Sequence, residues 1–212
     1  MNFDDALAAY AEEPLTRQVI LPLLNGYKRP NDKIAELVKA GALATIKNGL
    51  YVPGPASKVS GPEPFLIANH LWGPSYISFE TALSYWGFIP ERVYEISSVT
   101  VKISKAYRTS AGRFTYRHAP LPYYSFGIKS TRLSSRQTVL IASPEKALFD
   151  KIAMTAGVHL RSVPQVLTLL IEDLRIEKDK LREIDTKMMN TWITDAPKRS
   201  SLNMLITTLN TL

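Results

Sequence analysis

The chain has 212 residues, 45% hydrophobic and 21% charged, with 26 Lys and Arg against 19 Asp and Glu, a formal charge of +7 and an isoelectric point near 9.5. That apolar fraction at this length supports a buried core in one large domain or two small ones and excludes disorder. No apolar run approaches the roughly 20 residues of a membrane-crossing helix, the start Met1-Asn2-Phe3-Asp4-Asp5 is acidic where a secretory signal is basic, and the lack of cysteine removes disulfides, thiol nucleophiles and thiolate zinc sites.

In chain order, residues 3–12 place Phe3, Leu7 and Tyr10 on one helical face, with Asp4 and Asp5 at the positive end of the helix dipole. A second helix is expected from Thr16 to about Leu24, with Thr16 as N-cap, an apolar stripe of Val19, Ile20, Leu23 and Leu24, and Pro22 late in it. A third runs through Pro30-Asn31-Asp32-Lys33-Ile34-Ala35-Glu36-Leu37-Val38-Lys39, with Ile34, Leu37 and Val38 inward and Gly41 as its stop. Ala42–Ile46 and Leu50–Val52 are β-prone runs joined by Lys47-Asn48-Gly49, a strong hairpin signal with a basic tip. Three helices followed by a hairpin is the element order of a winged helix-turn-helix, in which the third helix enters the DNA major groove and the hairpin touches phosphates. Residues 53–64 hold four Pro and two Gly and read as a linker. The expected domains are therefore 1–54, DNA-binding, and 65–212, α+β.

Beyond the linker, Phe65–Leu71 reads as a short helix and Ser78–Gly87 as a second, capped by Ser78, with Phe79, Ala82, Leu83 and Trp86 packing inward. From Val93 to Ile141 the period falls to about two. Strands are expected at 94–103, 113–118, 123–130 and 138–141, forming a mostly antiparallel sheet. Ser143-Pro144-Glu145-Lys146 opens a helix with Ser143 as N-cap and Pro144 at its first position. From Val163 onward three more helices are expected, broken near Glu177 and at Pro197, the last carrying Leu202, Leu205, Ile206 and Leu209 inward.

The positive charge is unevenly distributed. Residues 1–58, 59–100, 101–140 and 141–212 carry net charges of +1, −3, +8 and +1. The third segment holds Lys102, Lys105, Arg108, Arg113, Arg117, Lys129, Arg132 and Arg136 with no acid, interleaved with Tyr107, Phe114, Tyr116, Tyr123, Tyr124 and Phe126. Cations at this density attract a polyanion, because neutralised phosphates release condensed counterions. A solvated basic face on the sheet gives the same string.

No phosphate-binding loop, dinucleotide glycine motif, zinc-protease motif or nucleophile elbow occurs in the sequence. His70 and His118 lack an orienting carboxylate nearby in sequence, and Glu145 and Asp150, five residues apart, point about 140° apart on a helix. Trp72, Trp86 and Trp192 offer rings for base stacking, with Trp86 better placed for the core. No cofactor, metal or membrane partner is expected, the location is cytoplasmic, and the protein reads as a binder and not an enzyme.

Several stretches resemble one family. Leu15-Thr16, Tyr27–Leu37, Gly41-Ala42-Leu43 and Lys47–Val52 resemble the winged-helix module of AbiEi-type antitoxins from bacterial type IV toxin–antitoxin systems, an abortive-infection, phage-defence family. Tyr76–Ser84, Ile96–Thr100, Gly112–Tyr116 and Ile141–Asp150 are similar to its effector domain, in matching order over residues 15–152. The resemblance implies a transcriptional repressor that binds its own operator DNA and counteracts a cognate nucleotidyltransferase toxin without a stable complex. Asn48 stands where that family often carries a second basic residue, which weakens one phosphate contact.

On the winged-helix reading, Asn31, Asp32, Lys33 and Glu36 face outward on the recognition helix, and Lys33 is the best base or phosphate contact. Lys28, Arg29, Lys47 and Asn48 meet the backbone. Asp32 and Glu36 oppose phosphate unless they accept from cytosine amino groups or fold back on lysines. The basic sheet face extends the DNA footprint or binds an RNA linked to toxin function. Two alternatives stay open: a transcriptional regulator with a ligand-binding second domain, and a nucleic-acid-processing enzyme using Glu145, Asp150 or His118.

Overall fold

The computed structural model describes residues 3–91 and 93–212, with no side chain described at position 4. The first module comprises α1 (Phe3–Ala8), β1 (Leu15–Thr16), α2 (Arg17–Leu23), α3 (Pro30–Lys39), β2 (Leu43–Lys47) and β3 (Leu50–Pro53). α1 is shorter than the expected 3–12: Tyr10 N and Ala11 N bond back to Leu7 and Ala8, and Glu12 leaves the helical region at φ 68°. Thr16 precedes α2 without a side-chain cap bond, because residues 15–16 extend to pair with β3. The hairpin forms as expected, with a register shift between Thr45 and Lys47. Both strands flanking β3 run antiparallel to it, in the order β1-β3-β2. Leu7, Leu15, Ile20, Leu24, Ile34, Leu37 and Leu43 are buried in one cluster with Phe3, each side chain contributing about 1.5–3 kcal/mol of transfer free energy.

The rest of the chain is α+β. It continues through α4 (Pro64–Leu71), β4 (Ser75–Ile77), α5 (Phe79–Tyr85), β5 (Glu95–Thr100), β6 (Lys105–Thr109), β7 (Gly112–His118), β8 (Ile128–Arg132), β9 (Thr138–Ala142) and α6 (Pro144–Met154). Six strands form one sheet in the order β6-β7-β5-β4-β9-β8. It is mixed: β6/β7, β4/β5 and β8/β9 are antiparallel, whereas β5/β7 and β4/β9 are parallel. Two parallel pairs were not expected from strand periodicity, which carries no information on direction.

Three other differences have local causes. β6 was missed because its exposed edge residues Lys105, Ala106 and Arg108 leave little apolar alternation. Tyr123–Ser125 is a 3-10 turn and not a strand, following Pro120 and Pro122. β4 is only three residues long, all buried, too short to show a period. After α6, the C-terminal part holds α7 (Val163–Leu167), which runs into a π turn, then α8 (Lys178–Arg182), α9 (Thr186–Trp192) and α10 (Arg199–Leu209). That is one more helix than expected, because Asp185 caps α9 through Met188 N and separates it from α8. Leu202, Leu205, Ile206 and Leu209 are buried as expected.

α4 covers one sheet face: the Tyr116 hydroxyl donates to Ala68 O at 2.7 Å. α6 covers the other, and a closed polar network lies beneath it. Asp150, with no exposed surface, accepts from the Ser78, Tyr123 and Tyr76 hydroxyls at 2.6, 2.8 and 3.0 Å and pairs with Lys146 Nζ at 3.1 Å. Lys146 Nζ also donates to Tyr123 O at 2.8 Å. Ser78 therefore spends its hydroxyl on Asp150 instead of capping α5, where no side-chain cap bond forms. Ser143 does cap α6, accepting from Lys146 N.

The two modules are not merely tethered. Ile46, Leu50 and Val52 of the hairpin are buried in the same cluster as Leu71, Tyr76 and Phe114 of the larger module. On a second side, Glu12 accepts from Ser134 Oγ at 2.8 Å and Gln137 Nε2 at 3.0 Å.

Candidate nucleic-acid interface

Residues Asn31, Asp32, Ala35, Glu36 and Lys39 of α3 face solvent while Ile34 and Leu37 turn inward, as a 3.6-residue period requires. The two acids of this face are neutralised locally. Arg29 Nε lies 2.9 Å from Asp32, and Lys33 Nζ lies 2.8 Å from Glu36. The bond to Glu36 is the main reason that Lys33 titrates above the usual lysine value. Lys33 also sits 5.1 Å over the Tyr27 ring. Glu36 thus folds back on Lys33, and Asp32 is held by Arg29, a partner sequence reasoning did not name. Lys28 and Asn48 are exposed.

Sequence reasoning missed Arg17. Its guanidinium donates to Asn31 Oδ1 at 2.7 Å, and its backbone N–H donates to Gly49 O at 3.1 Å. One residue therefore ties the start of α2 to the N-terminal turn of α3 and to the hairpin tip. The signal was the position of an arginine directly after Leu15-Thr16, at a helix start where cations are not expected.

Lys47 does not project from the hairpin tip as an isolated cation. Its ammonium donates to Leu71 O across the module boundary and lies 5.9 Å from the Trp72 ring centroid. Lys102 and Lys105 approach the same ring at 5.0 and 4.6 Å. Burial, and then the charges of Lys102 and Lys105, hold Lys47 below the usual lysine value. The Trp72 indole N–H donates to Ile103 O at 3.1 Å, which fixes the loop carrying Lys102.

The eight basic residues of 101–140 do not form one face. In the β6/β7 register Lys105 faces Tyr116 and Tyr107 faces Phe114, whereas Arg108 faces Arg113. Cross-strand partners share a side, so Lys105 lies on the α4 side with Trp72, and Arg108, Arg113 and Arg117 lie on the opposite side. There Arg113 Nε reaches Glu95 at 3.4 Å, and Arg117 lines a cleft of about 370 Å³ with Glu80, Ser97, Thr115 and Lys151. Lys129 and Arg132 belong to β8, at the other edge of the sheet. Five strand spacings separate the two edges, roughly 24 Å. Lys129 lies 5.6 Å over Trp86, and Arg136 sits in the exposed β8–β9 turn. The expected single basic face is therefore three separate groups, since strand alternation and sheet order divide residues that are close in sequence.

The carboxylates considered for catalysis are not assembled into a site. Asp150 is enclosed as described, and Glu145 Oε1 accepts from Asp185 N at 3.2 Å. His118 is exposed, its Nδ1 3.1 Å from Lys102 O. Among the described residues no cluster of three or more acidic or histidine side chains is placed to hold a metal ion, and no helix is long and apolar enough to cross a membrane.

No protein-family model and no curated protein matches the sequence. Among solved structures, the chain is similar to the RV2827C protein from Mycobacterium tuberculosis, with a TM-score of 0.65 over 97% of this chain and 75% of that chain. At 15% sequence identity, this likeness shows a shared α+β fold.

Proposed function

We propose that this chain is the antitoxin of a type IV toxin–antitoxin pair: an operator-binding repressor that also counteracts a nucleotidyltransferase toxin without a stable complex between them. The observation that carries the DNA-binding half is topological. Helix, strand, two helices and a hairpin, with sheet order β1-β3-β2, supports the reading as a winged helix-turn-helix in which α3 is the recognition helix. The local pairing of Asp32 with Arg29 and Glu36 with Lys33 supports this reading, because it removes the repulsion two bare carboxylates would exert on phosphate. Lys28 and Arg29, at the start of α3, are the backbone contacts, and Asn31 is the base-reading candidate, its amide oriented by Arg17.

The antitoxin half is supported by the residues that carry the family resemblance. Tyr76 and Ser78 from one stretch and Lys146 and Asp150 from another meet in the buried network under α6. The test is whether a nucleotidyltransferase gene lies beside this one and whether co-expression of the full chain with its product restores growth; no such neighbour, or failure to restore growth, refutes the antitoxin role. Duplex DNA from the gene's own promoter tests the repressor role.

One observation favours the regulator with a ligand-binding second domain. A cavity of about 520 Å³ lies between Phe65, Tyr85, Ile96, Ala111 and Arg113, in the size range of small-molecule sites. On that reading a small ligand releases the protein from its operator; on the antitoxin reading operator affinity is independent of any such ligand.

A further inference from the structure

We propose that Lys47, Lys102 and Lys105, gathered around Trp72 at the junction of the two modules, form a site for one backbone phosphate of the duplex bound by α3. This inference rests on the DNA-binding reading and extends the footprint from the small module onto the larger one.

Three ammonium groups lie within 6 Å of a single indole centroid. Among the described residues none of the three has a carboxylate within ion-pair distance, although eight other ion pairs form in the same chain. Like charges held together without a counter-charge raise the energy of the free protein, and an anion that enters among them is repaid for all three interactions at once. Trp72 acts as the pivot: its ring attracts the cations, and its N–H anchors the loop between β5 and β6 through Ile103 O. His118 holds the same loop, its backbone N–H donating to Ser104 Oγ at 3.0 Å. The site is thus preorganised by groups that are not themselves ligands.

The position selects the anion's source. Lys47 ends the β2 strand of the hairpin, two residues from Gly49, whose carbonyl is tied through Arg17 to the first turn of α3. A polyanion lying along α3 that touches the hairpin end at Lys47 meets Lys102 and Lys105 around the same Trp72 ring. A duplex supplies phosphates at regular spacing along such a path.

The test uses the full chain and a Lys102→Gln/Lys105→Gln variant, both positions being exposed, with a Lys47→Met/Lys102→Gln/Lys105→Gln triple variant beside them. Promoter duplex affinity is measured between 50 and 200 mM salt. If the three lysines share one phosphate, the slope of log affinity against log salt falls by about 0.9 in the triple variant. A fall near 2.7 means three separate contacts and overturns the shared site, and an unchanged slope overturns DNA contact at the junction. A second readout does not depend on operator binding. Inorganic phosphate should give a saturable change in the fluorescence of Trp72, absent in the Trp72→Phe and double-lysine variants. If no duplex binds, the DNA-binding reading fails while the phosphate response still reports on the lysines. No saturable response to phosphate overturns the site itself, and tighter binding of single-stranded RNA than of duplex overturns the choice of DNA.

Discussion

Removing the Asp150 carboxylate by Asp150→Asn should destabilise the protein far more than removing its partner by Lys146→Met. The structure makes the two sides of this pair unequal. Asp150 accepts three hydroxyl bonds besides the ammonium, so it stays well solvated by the protein when the lysine is gone. Lys146 keeps one carbonyl, Tyr123 O, and the Tyr123 and Tyr76 rings, 3.2 and 5.8 Å from its Nζ, when the carboxylate is gone. Neither side chain has exposed surface, and an uncompensated buried charge costs about 3–5 kcal/mol. Truncating Lys146 costs the donor to one carbonyl and the ion pair, relieves the lysine's own desolvation and leaves Asp150 held by its three hydroxyl donors, about 1–3 kcal/mol. At this chain length the first change lowers the melting temperature by roughly 6–20 °C. Urea unfolding followed by circular dichroism and by tryptophan fluorescence measures both variants and checks that the two probes coincide. Equal costs for the two variants, or less than about 1 kcal/mol for Asp150→Asn, would refute the asymmetry and with it the view of Asp150 as the centre of the network.

Other outcomes follow from the same geometry. Gly127→Ala places a Cβ 2.7 Å from both Lys146 Cβ and Trp192 Cη2 at a φ of 62°, and should cost about 2–4 kcal/mol from strain and overpacking together; calorimetry reads it directly. Ile46→Ala removes a hairpin side chain buried against the larger module, and should cost about 2–5 kcal/mol while the two modules still unfold in one transition. A fragment ending at residue 58 should aggregate, because Ile46, Leu50 and Val52 lose their cover. Tyr76 and Tyr123 ionise well above the usual tyrosine value, first through burial and then through the Asp150 charge, and Tyr116 through burial and then Tyr107. Their folded-state values exceed the unfolded value of 10.0, so the stability they contribute is complete below about pH 10 and is lost as pH rises through the raised values. Tyrosinate absorbance at 295 nm should therefore show these three silent until the protein unfolds.

Much of the first module could be read from local signals. Pro30 opening α3, the Ile34 and Leu37 stripe and the Asn48-Gly49 turn each act within a few residues, so their sequence carried their structure. What was hidden depends on contacts between distant residues. The burial of Ile46, Leu50 and Val52 against the larger module cannot be told from burial within a hairpin's own domain, so the 53–64 linker suggested more independence than the packing allows. Lys47 read as a wing cation because nothing in its neighbours announces Trp72, 25 positions away. The +8 of residues 101–140 was real, yet strand alternation and the separation of β7 from β8 by three other strands divided it into three groups. Asp150 and Glu145 were correctly read as divergent; of the donors around Asp150 only Lys146, four positions away on α6, is local, whereas Tyr76 and Ser78 at the end of β4 and Tyr123 in the 3-10 turn are far away in sequence.

DNA reading by α3 is the central claim, and fluorescence anisotropy of the gene's own promoter duplex measures it most directly. Wild-type protein should bind this duplex more tightly than a scrambled one of equal length. A Lys28→Ala/Arg29→Ala/Asn31→Ala variant, all three positions exposed, should lose at least tenfold in affinity with an unchanged melting temperature. Equal affinity of the wild type for both duplexes, or full affinity in the variant, would contradict the account.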